Sequence, residues 1–297
     1  MRKSGIAGLA LFHLATVVFS QRLEHFDLVL FTLNQQADSA WLPAAPRFLT
    51  AFNPAGYNNQ PRFFSPNELY LTVQMPSDTT QTELYALNLL ARTTTRITAT
   101  ATPEYSPTPM PGGRRFSAVR VEENGAQRLW SFPLDRSDSG RPLFPAISNI
   151  GYHCWLRDTL AAVFLVGEND APHALAIIGT GRQQAQRIAF NVGRCLQKLP
   201  DGRLAFVQKA TAQTWFIKAF DPLKKTSDIL VKTLAGAEDF VVLPDGTFLA
   251  GSGSKLYQYH PSRQNDWKQI ADLSRYGVRN ITRLDASAGG KLAVVVQ

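Results

Sequence analysis

The chain has 297 residues, 44% apolar and 18% charged, with 31 Lys and Arg against 23 Asp and Glu and a net charge of +8. That mix is rich enough in apolar residues to bury a full core and excludes a disordered or fibrous chain. The cations stand singly (Arg62, Arg92, Arg128, Lys209, Lys255) rather than in a stripe that tracks phosphates, so nucleic acid is not an expected partner.

In chain order, the first element is a targeting segment. Arg2 and Lys3 precede an apolar stretch from Ile6 to Phe19, and Val18 and Ser20 are small residues suited to a cleavage site. This predicts a signal peptide over residues 1–20 and an exported protein, periplasmic or extracellular. The stretch is shorter than the roughly 20 apolar residues that cross a bilayer and carries His13, and no later segment is apolar enough, so the chain is not expected to span a membrane. Arg2 and Lys3 leave with the peptide, so the 31 cations fall to 29 against 23 anions, a net of +6.

Two stretches follow, DLVLFTL from Asp27 and RFLTAF from Arg47, that read as strands lacking a repeat unit of their own. Between them Trp41-Leu42-Pro43 reads as a Pro-rich aromatic loop, either a core plug or a contact surface.

A repeat then organises the chain. Ser65-Pro66-Asn67-Glu68, Met110-Pro111-Gly112-Gly113, Leu199-Pro200-Asp201-Gly202, Leu243-Pro244-Asp245-Gly246 and Ser287-Ala288-Gly289-Gly290 each precede an apolar β-type run. Pro66 to Pro111 is 45 residues, while Pro200 to Pro244 and Pro244 to Ala288 are 44 each; Arg157-Asp158-Thr159 fills the gap as a degenerate copy. Pro presets φ and Gly supplies positive φ, so each tetrapeptide turns the chain between two strands. Two further β-type stretches follow each turn, for example ELYALNL then TRITAT, RLWSFPL then PLFPAI, and WFIKAF then DILVKTL. Four short strands per unit make a propeller blade. Only two strands, ITRLDAS and KLAVVVQ, remain at the C-terminus. They are expected to pair with the two N-terminal strands in a composite blade from about 26–52 plus 281–297, sealing the ring.

The predicted architecture is thus all-β: a single domain over 21–297, a six-bladed β-propeller of four-stranded antiparallel blades, monomeric. Phe63, Phe64, Leu71, Leu87, Val119, Trp130, Phe164, Phe206, Trp215, Phe240 and Leu249 recur at blade positions where sheets pack face to face and are read as core.

Asn58-Asn59-Gln60-Pro61 followed by Phe64-Ser65-Pro66-Asn67-Glu68-Leu69-Tyr70-Leu71 resembles the signature of the TolB-like propellers with WD-like blade repeats, and Glu104-Tyr105-Ser106-Pro107 repeats it in the next blade. Propellers that resemble this one include protein-assembly partners and ligand sensors as well as lyases and lactonases, so the resemblance implies an architecture and no single activity.

Inner strands of a propeller line its central channel. Aligning units on their turns places Asn58 and Asn59, Glu104 and Tyr105, His153 and Cys154, Arg194 and Cys195, Glu238 and Asp239, and Thr282 and Arg283 at comparable depth, a polar ring of candidate ligand-binding residues at the channel mouth. Alternation allows one of each pair to face inward. Oxygen donors from Asn59, Glu104 and Asp239 are of the type that holds Ca²⁺, and otherwise no cofactor is implied. Cys154 and Cys195 invite a disulfide in an oxidising compartment, but inner strands of neighbouring blades are not paired, which favours free thiols. No Gly-x-Ser-x-Gly, His-Glu-x-x-His, Walker loop or Cys-x-x-Cys occurs, and no residue is assigned as catalytic. Two readings stand: a non-enzymatic exported propeller that binds a protein or cell-envelope ligand at its channel mouth, and a metal-assisted hydrolase or lyase using Glu104, His153 and Glu238 or Asp239.

Overall fold

A computed structural model describes residues 23–181 and 184–297; the expected signal peptide, residues 1–20, lies outside the described residues. The described residues form six four-stranded antiparallel sheets. The first repeat unit folds as β3 (Tyr57–Ser65), β4 (Glu68–Gln74), β5 (Glu83–Asn88) and β6 (Thr93–Arg96), the second as β7 (Glu104–Pro109), β8 (Arg115–Val121), β9 (Gln127–Pro133) and β10 (Arg141–Pro142). The third holds β11 (Ile150–Arg157), β12 (Leu160–Leu165), β13 (Ala174–Gly179) and β14 (Gln186–Phe190), the fourth β15 (Val192–Lys198), β16 (Leu204–Lys209), β17 (Trp215–Asp221) and β18 (Thr226–Lys232). The fifth is β19 (Phe240–Val242), β20 (Phe248–Ser252), β21 (Lys255–Tyr259) and β22 (Lys268–Asp272). The sixth is composite: β23 (Ile281–Ala286) and β24 (Lys291–Val296) pair with β1 (Asp27–Gln35) and β2 (Trp41–Phe48) in the order β2-β1-β24-β23. The ring therefore closes as expected, with Val29 opposite Val294 and Phe31 opposite Leu292.

Burial explains the strand sequences. The second strand of each sheet is covered on both faces by its neighbours, so β4 is buried over nearly its whole length and β24 reads Leu292-Ala293-Val294-Val295 without a polar break. The fourth strand is the solvent edge, and β6 is four exposed residues, Thr93 to Arg96. Six apolar clusters fill the six junctions between adjacent sheets. Leu28 and Leu30 meet Phe63 and Leu71 at one, and Phe31 and Val294 meet Val241 and Leu249 at the next around. Tyr70 and Leu84 meet Phe116 at a third. The predicted core residues lie in these clusters, with Phe64, Trp130 and Trp215 partly buried at their margins.

The two Pro-Asp-Gly turns have the same wiring. Gly202 N donates to Leu199 O and Gly246 N to Leu243 O, both at 2.9 Å, with φ of +86° and +88°. Asp201 Oδ1 and Asp245 Oδ1 accept from the backbone N–H two residues on, each at 3.0 Å.

Four stretches differ from expectation: of RFLTAF and TRITAT, both read as strands, only Arg47 and Phe48 lie in β2 and only Thr95 and Arg96 in β6. PLFPAI, read as a strand, contributes only Pro142 to the two-residue β10, because Pro142 and Pro145 have no N–H for a ladder; Phe144 and Ile147 instead fold inward as core. Trp41-Leu42-Pro43, read as a loop, begins β2, and the prolines are tolerated because β2 is an outer edge strand. Trp41 N donates to Gln258 Oε1 at 2.9 Å and its indole to Asp245 Oδ2 at 3.3 Å, which ties the composite sheet to the fifth one.

Candidate functional site

The inner strands β3, β7, β11, β15, β19 and β23 converge on the channel, and backbone irregularities decide which side chains enter it. The β3–β4 register slips between Asn59 and Arg62, with Gln60 at φ +55°, and the β7–β8 register slips between Tyr105 and Thr108, with Ser106 at φ +54°. Both residues precede proline, a position that already avoids helical backbone, so this left-handed geometry is strained. The bulges bring Gln60 and Ser106 to the cavity wall, where Gln60 Oε1 accepts from Thr72 Oγ1 and from Ser106 N, both at 2.8 Å. That contact locks the first repeat sheet to the second.

An inner cavity of about 60 Å³ is lined by Gln60, Arg62, Ser106, Tyr152, His153, Arg194, Cys195, Asp239 and Arg283, among others. A second cavity of about 260 Å³ lies against the loop 235–239 and the end of β20 with Gly253, and shares Arg194, Asp239, Arg283 and Leu284 with the first. The shared wall carries the charge. Arg194 donates through Nη2 and Nε to Asp239 Oδ2 at 2.6 and 3.0 Å. Arg283 donates to the Tyr152 hydroxyl at 2.8 Å and sits 4.0 Å from Asp239 Oδ1. Deeper in, Arg62 pairs with Asp285 at 3.0 Å, and Asp285 also accepts from Phe63 N at 2.7 Å.

Electrostatics follow from burial. Burial works against the Arg283 charge, but the Tyr152 hydroxyl and Asp239 outweigh it, so its affinity for the proton is raised further. Burial pushes the Tyr57 phenol well above its usual range, with Arg283 opposing. His153 is driven down to about 3, first by burial and then by Arg62, and is neutral. Ser117 Oγ accepts from the Trp155 indole at 2.9 Å and lies 2.7 Å from His153 Nε2 and 3.3 Å from Thr108 O. His153 Nδ1 is buried and has no partner among the described residues.

The ring expected from the sequence is thus brought together in part. Arg194, Asp239, Arg283 and His153 line the cavities. Glu238 lies in the outer cavity wall, accepting from Arg194 N at 2.8 Å and pairing with Lys209 at 3.2 Å. Asn58 is structural: its amide donates to Phe26 O at 2.9 Å and Asn53 O at 3.0 Å, holding the lead-in to β1 and β3. Tyr105 packs into the cluster between the second and third repeat sheets.

The calcium donor set is not assembled. Asn59 Oδ1 accepts from Gln60 N at 2.7 Å, Glu104 is occupied by Thr100 at 2.5 Å and Arg120 at 3.5 Å, and Asp239 by Arg194. Among the described residues no group of three or more His, Cys, Asp or Glu side chains is placed to hold a metal. Both thiols are free; Cys195 Sγ lies 3.1 Å from Phe240 O and bridges two sheets, and burial raises both Cys154 and Cys195.

Sequence reasoning missed Gln60, Arg62, Ser106 and Tyr152. The repeated residue-Pro pairs Gln60-Pro61 and Ser106-Pro107 were the available signal, since a bulge before proline shifts the inward-facing parity by one.

No family model matches the chain, and no curated protein does. Solved structures do. A structure described as TolB from Agrobacterium tumefaciens superposes with a TM-score of 0.67 at 13% identity, covering 91% of this chain and 97% of that one. TolB from Acinetobacter baumannii gives 0.54 at 11%, covering 91% of this chain and 64% of that one. An oligogalacturonate lyase from Vibrio parahaemolyticus gives 0.52 at 12%, covering 90% and 97%. At such identities the likeness establishes the fold alone, that of a six-bladed propeller.

Proposed function

We propose that the chain is an exported binding protein that engages another protein or a cell-envelope ligand at the mouth of its channel. The observation that carries this is the shared wall of Arg194, Asp239 and Arg283, with Tyr152 beside it on the inner cavity, a largely buried charged group at the junction of two cavities, one of which opens between the loop 235–239 and the end of β20. Convergent polar groups in a concave site are what ligand recognition needs. The TolB likeness supports a binding role through its fold.

The hydrolase or lyase reading gains fold likeness from the Vibrio enzyme. Its residues, however, work separately: Glu104 on Thr100 and Arg120, His153 on Ser117, and Asp239 on Arg194. Binding is the better-supported reading.

The test is site-specific cross-linking in cells. A photoreactive residue at Ser252, in the outer cavity wall, is expected to trap one discrete partner, while the same residue at the exposed Ile229 of edge strand β18 traps none of it. Equal yields at both sites would overturn the reading. In the same preparation the recovered chain is expected to begin at Gln21, and retention of residues 1–20 would remove export from it.

A further inference from the structure

The next step rests on the channel-mouth reading and concerns the chemistry of what enters it. Three arginines border the inner cavity, and two have close carboxylate partners: Arg62 with Asp285 at 3.0 Å and Arg194 with Asp239 at 2.6 Å. Arg283 does not. It reaches Asp239 only at 4.0 Å, beyond hydrogen bonding, and among the described residues its guanidinium donates one hydrogen bond, to Tyr152. A guanidinium has five N–H donors, so most of its capacity is unused although the side chain is only 13% exposed. Its guanidinium lies 5.0 Å from the centre of the Tyr152 ring, and its free N–H donors open into the cavities, where an arriving acceptor can reach them.

Neighbouring groups are suited to an anion. Tyr152, having accepted from Arg283, keeps its own O–H proton for donation, and the buried Ser106 hydroxyl on the same cavity has no partner. The charge of the wall is that of one surplus cation, since Arg62, Arg194 and Arg283 face Asp239 and Asp285, while Glu238 of the outer cavity is paired with Lys209. One monoanion balances it. A dianion would leave the site negative beside Asp239. A planar carboxylate also matches the guanidinium fork with two parallel hydrogen bonds.

We infer that Arg283, with Tyr152 beside it, receives a single carboxylate group, carried by a small free acid or by the end of a peptide chain, seated where the two cavities meet. The inner cavity of about 60 Å³ takes the head group, and the outer one of about 260 Å³, bounded by the small residues Ala235, Gly236, Gly251 and Gly253, takes what is attached to it.

The experiment uses the purified chain at low salt with three probes: lactate, acetyl-Ala-Ala with a free carboxylate, and acetyl-Ala-Ala amide. Binding is read by calorimetry and by the shift in melting temperature. An acid with Kd near 1 mM, present at about 10 mM, is expected to raise the melt by about 2–4 °C, and the amide is expected to bind at least ~10-fold more weakly. Tighter binding of the peptide acid than of lactate assigns the chain end as the source; equal binding assigns the free acid. Arg283→Gln is expected to erase the preference of acid over amide. Should that variant not fold, Tyr152→Phe, which leaves the cation in place, is expected to narrow the preference. The inference is overturned if acid and amide bind alike, if neither shifts the melt at about 10 mM, or if the variant that folds keeps the wild-type preference. Capture at Ser252 that survives in Arg283→Gln would spare the channel-mouth reading while rejecting the carboxylate.

Discussion

Two buried side chains of the inner strands, Glu104 and His153, act on stability in opposite directions as pH changes. Glu104 is fully buried, and burial pushes its carboxyl up to about 7 from 4.5, with the Thr100 hydrogen bond and Arg120 opposing and Glu83 adding to the rise. Its folded value is raised, so its contribution is complete below 4.5 and is lost as pH rises toward about 7. His153 falls to about 3 from 6.5, so its contribution is complete above 6.5 and is lost as pH falls toward about 3. Between 4.5 and 6.5 the fold holds one proton more than the unfolded chain at Glu104 and one fewer at His153, and the two slopes cancel. Removing one group uncovers the other. Glu104→Gln is expected to melt at progressively lower temperature from pH 6.5 to 4.5. His153→Gln, whose amide can still hydrogen-bond Ser117, is expected to melt at progressively higher temperature over the same interval. Parallel, flat profiles for both variants in a series of thermal melts would refute the opposing assignment.

At the scale of the strand and its turn, Gly202 and Gly246 offer a clean comparison. An added Cβ at Gly202 meets nothing within 4 Å, and at Gly246 only the His260 ring at 3.7 Å, so substitution tests the backbone alone. With φ near +87° in each, Gly202→Ala and Gly246→Ala are each expected to cost ~1 kcal/mol or somewhat more, read as equal losses in denaturant titration within error. Loss at only one of them would break the equivalence of the turns. That equivalence is also why so much of the fold was legible. Pro, Asp and Gly fix backbone dihedrals locally, so the turns announce themselves at 44- and 45-residue spacing without help from packing. The channel was less legible for the converse reason. Whether Asn59 or Gln60 faces the cavity depends on a bulge, and a bulge moves every later side chain to the other face without changing the apolar pattern that announces the strand. Glu104 shows the same limit: its polarity marked it for the channel, while Thr100 and Arg120 hold it between sheets.

For the whole molecule, closure decides how local damage spreads. Every sheet packs on two neighbours through its own apolar cluster, and the composite sheet meets the first repeat sheet on one side and the fifth on the other. An open row of sheets would fray at its ends with little effect far away. A ring has no end to fray. Leu292, fully buried on β24 and opposite Phe31 of β1, stands at the seam where the chain's two ends pair. Trp155, buried on β11, reports from the third repeat sheet, on the far side of the ring. Leu292→Ala removes buried apolar volume at the seam and is expected to cost ~2–5 kcal/mol. In a closed ring that loss belongs to the common folded state, so fluorescence dominated by Trp155, with the other four tryptophans replaced by Phe in both backgrounds, should shift its unfolding midpoint by the same amount as far-ultraviolet circular dichroism. Coincident shifts mean that the pairing of β1 with β24 stabilises sheets it never touches. A Trp155 midpoint that stays at the Leu292 value while the dichroism signal splits into two transitions would mean that the seam opens by itself, and the channel wall, which draws Arg283 from β23 and Tyr152 from β11, would then come apart before the rest of the ring unfolds.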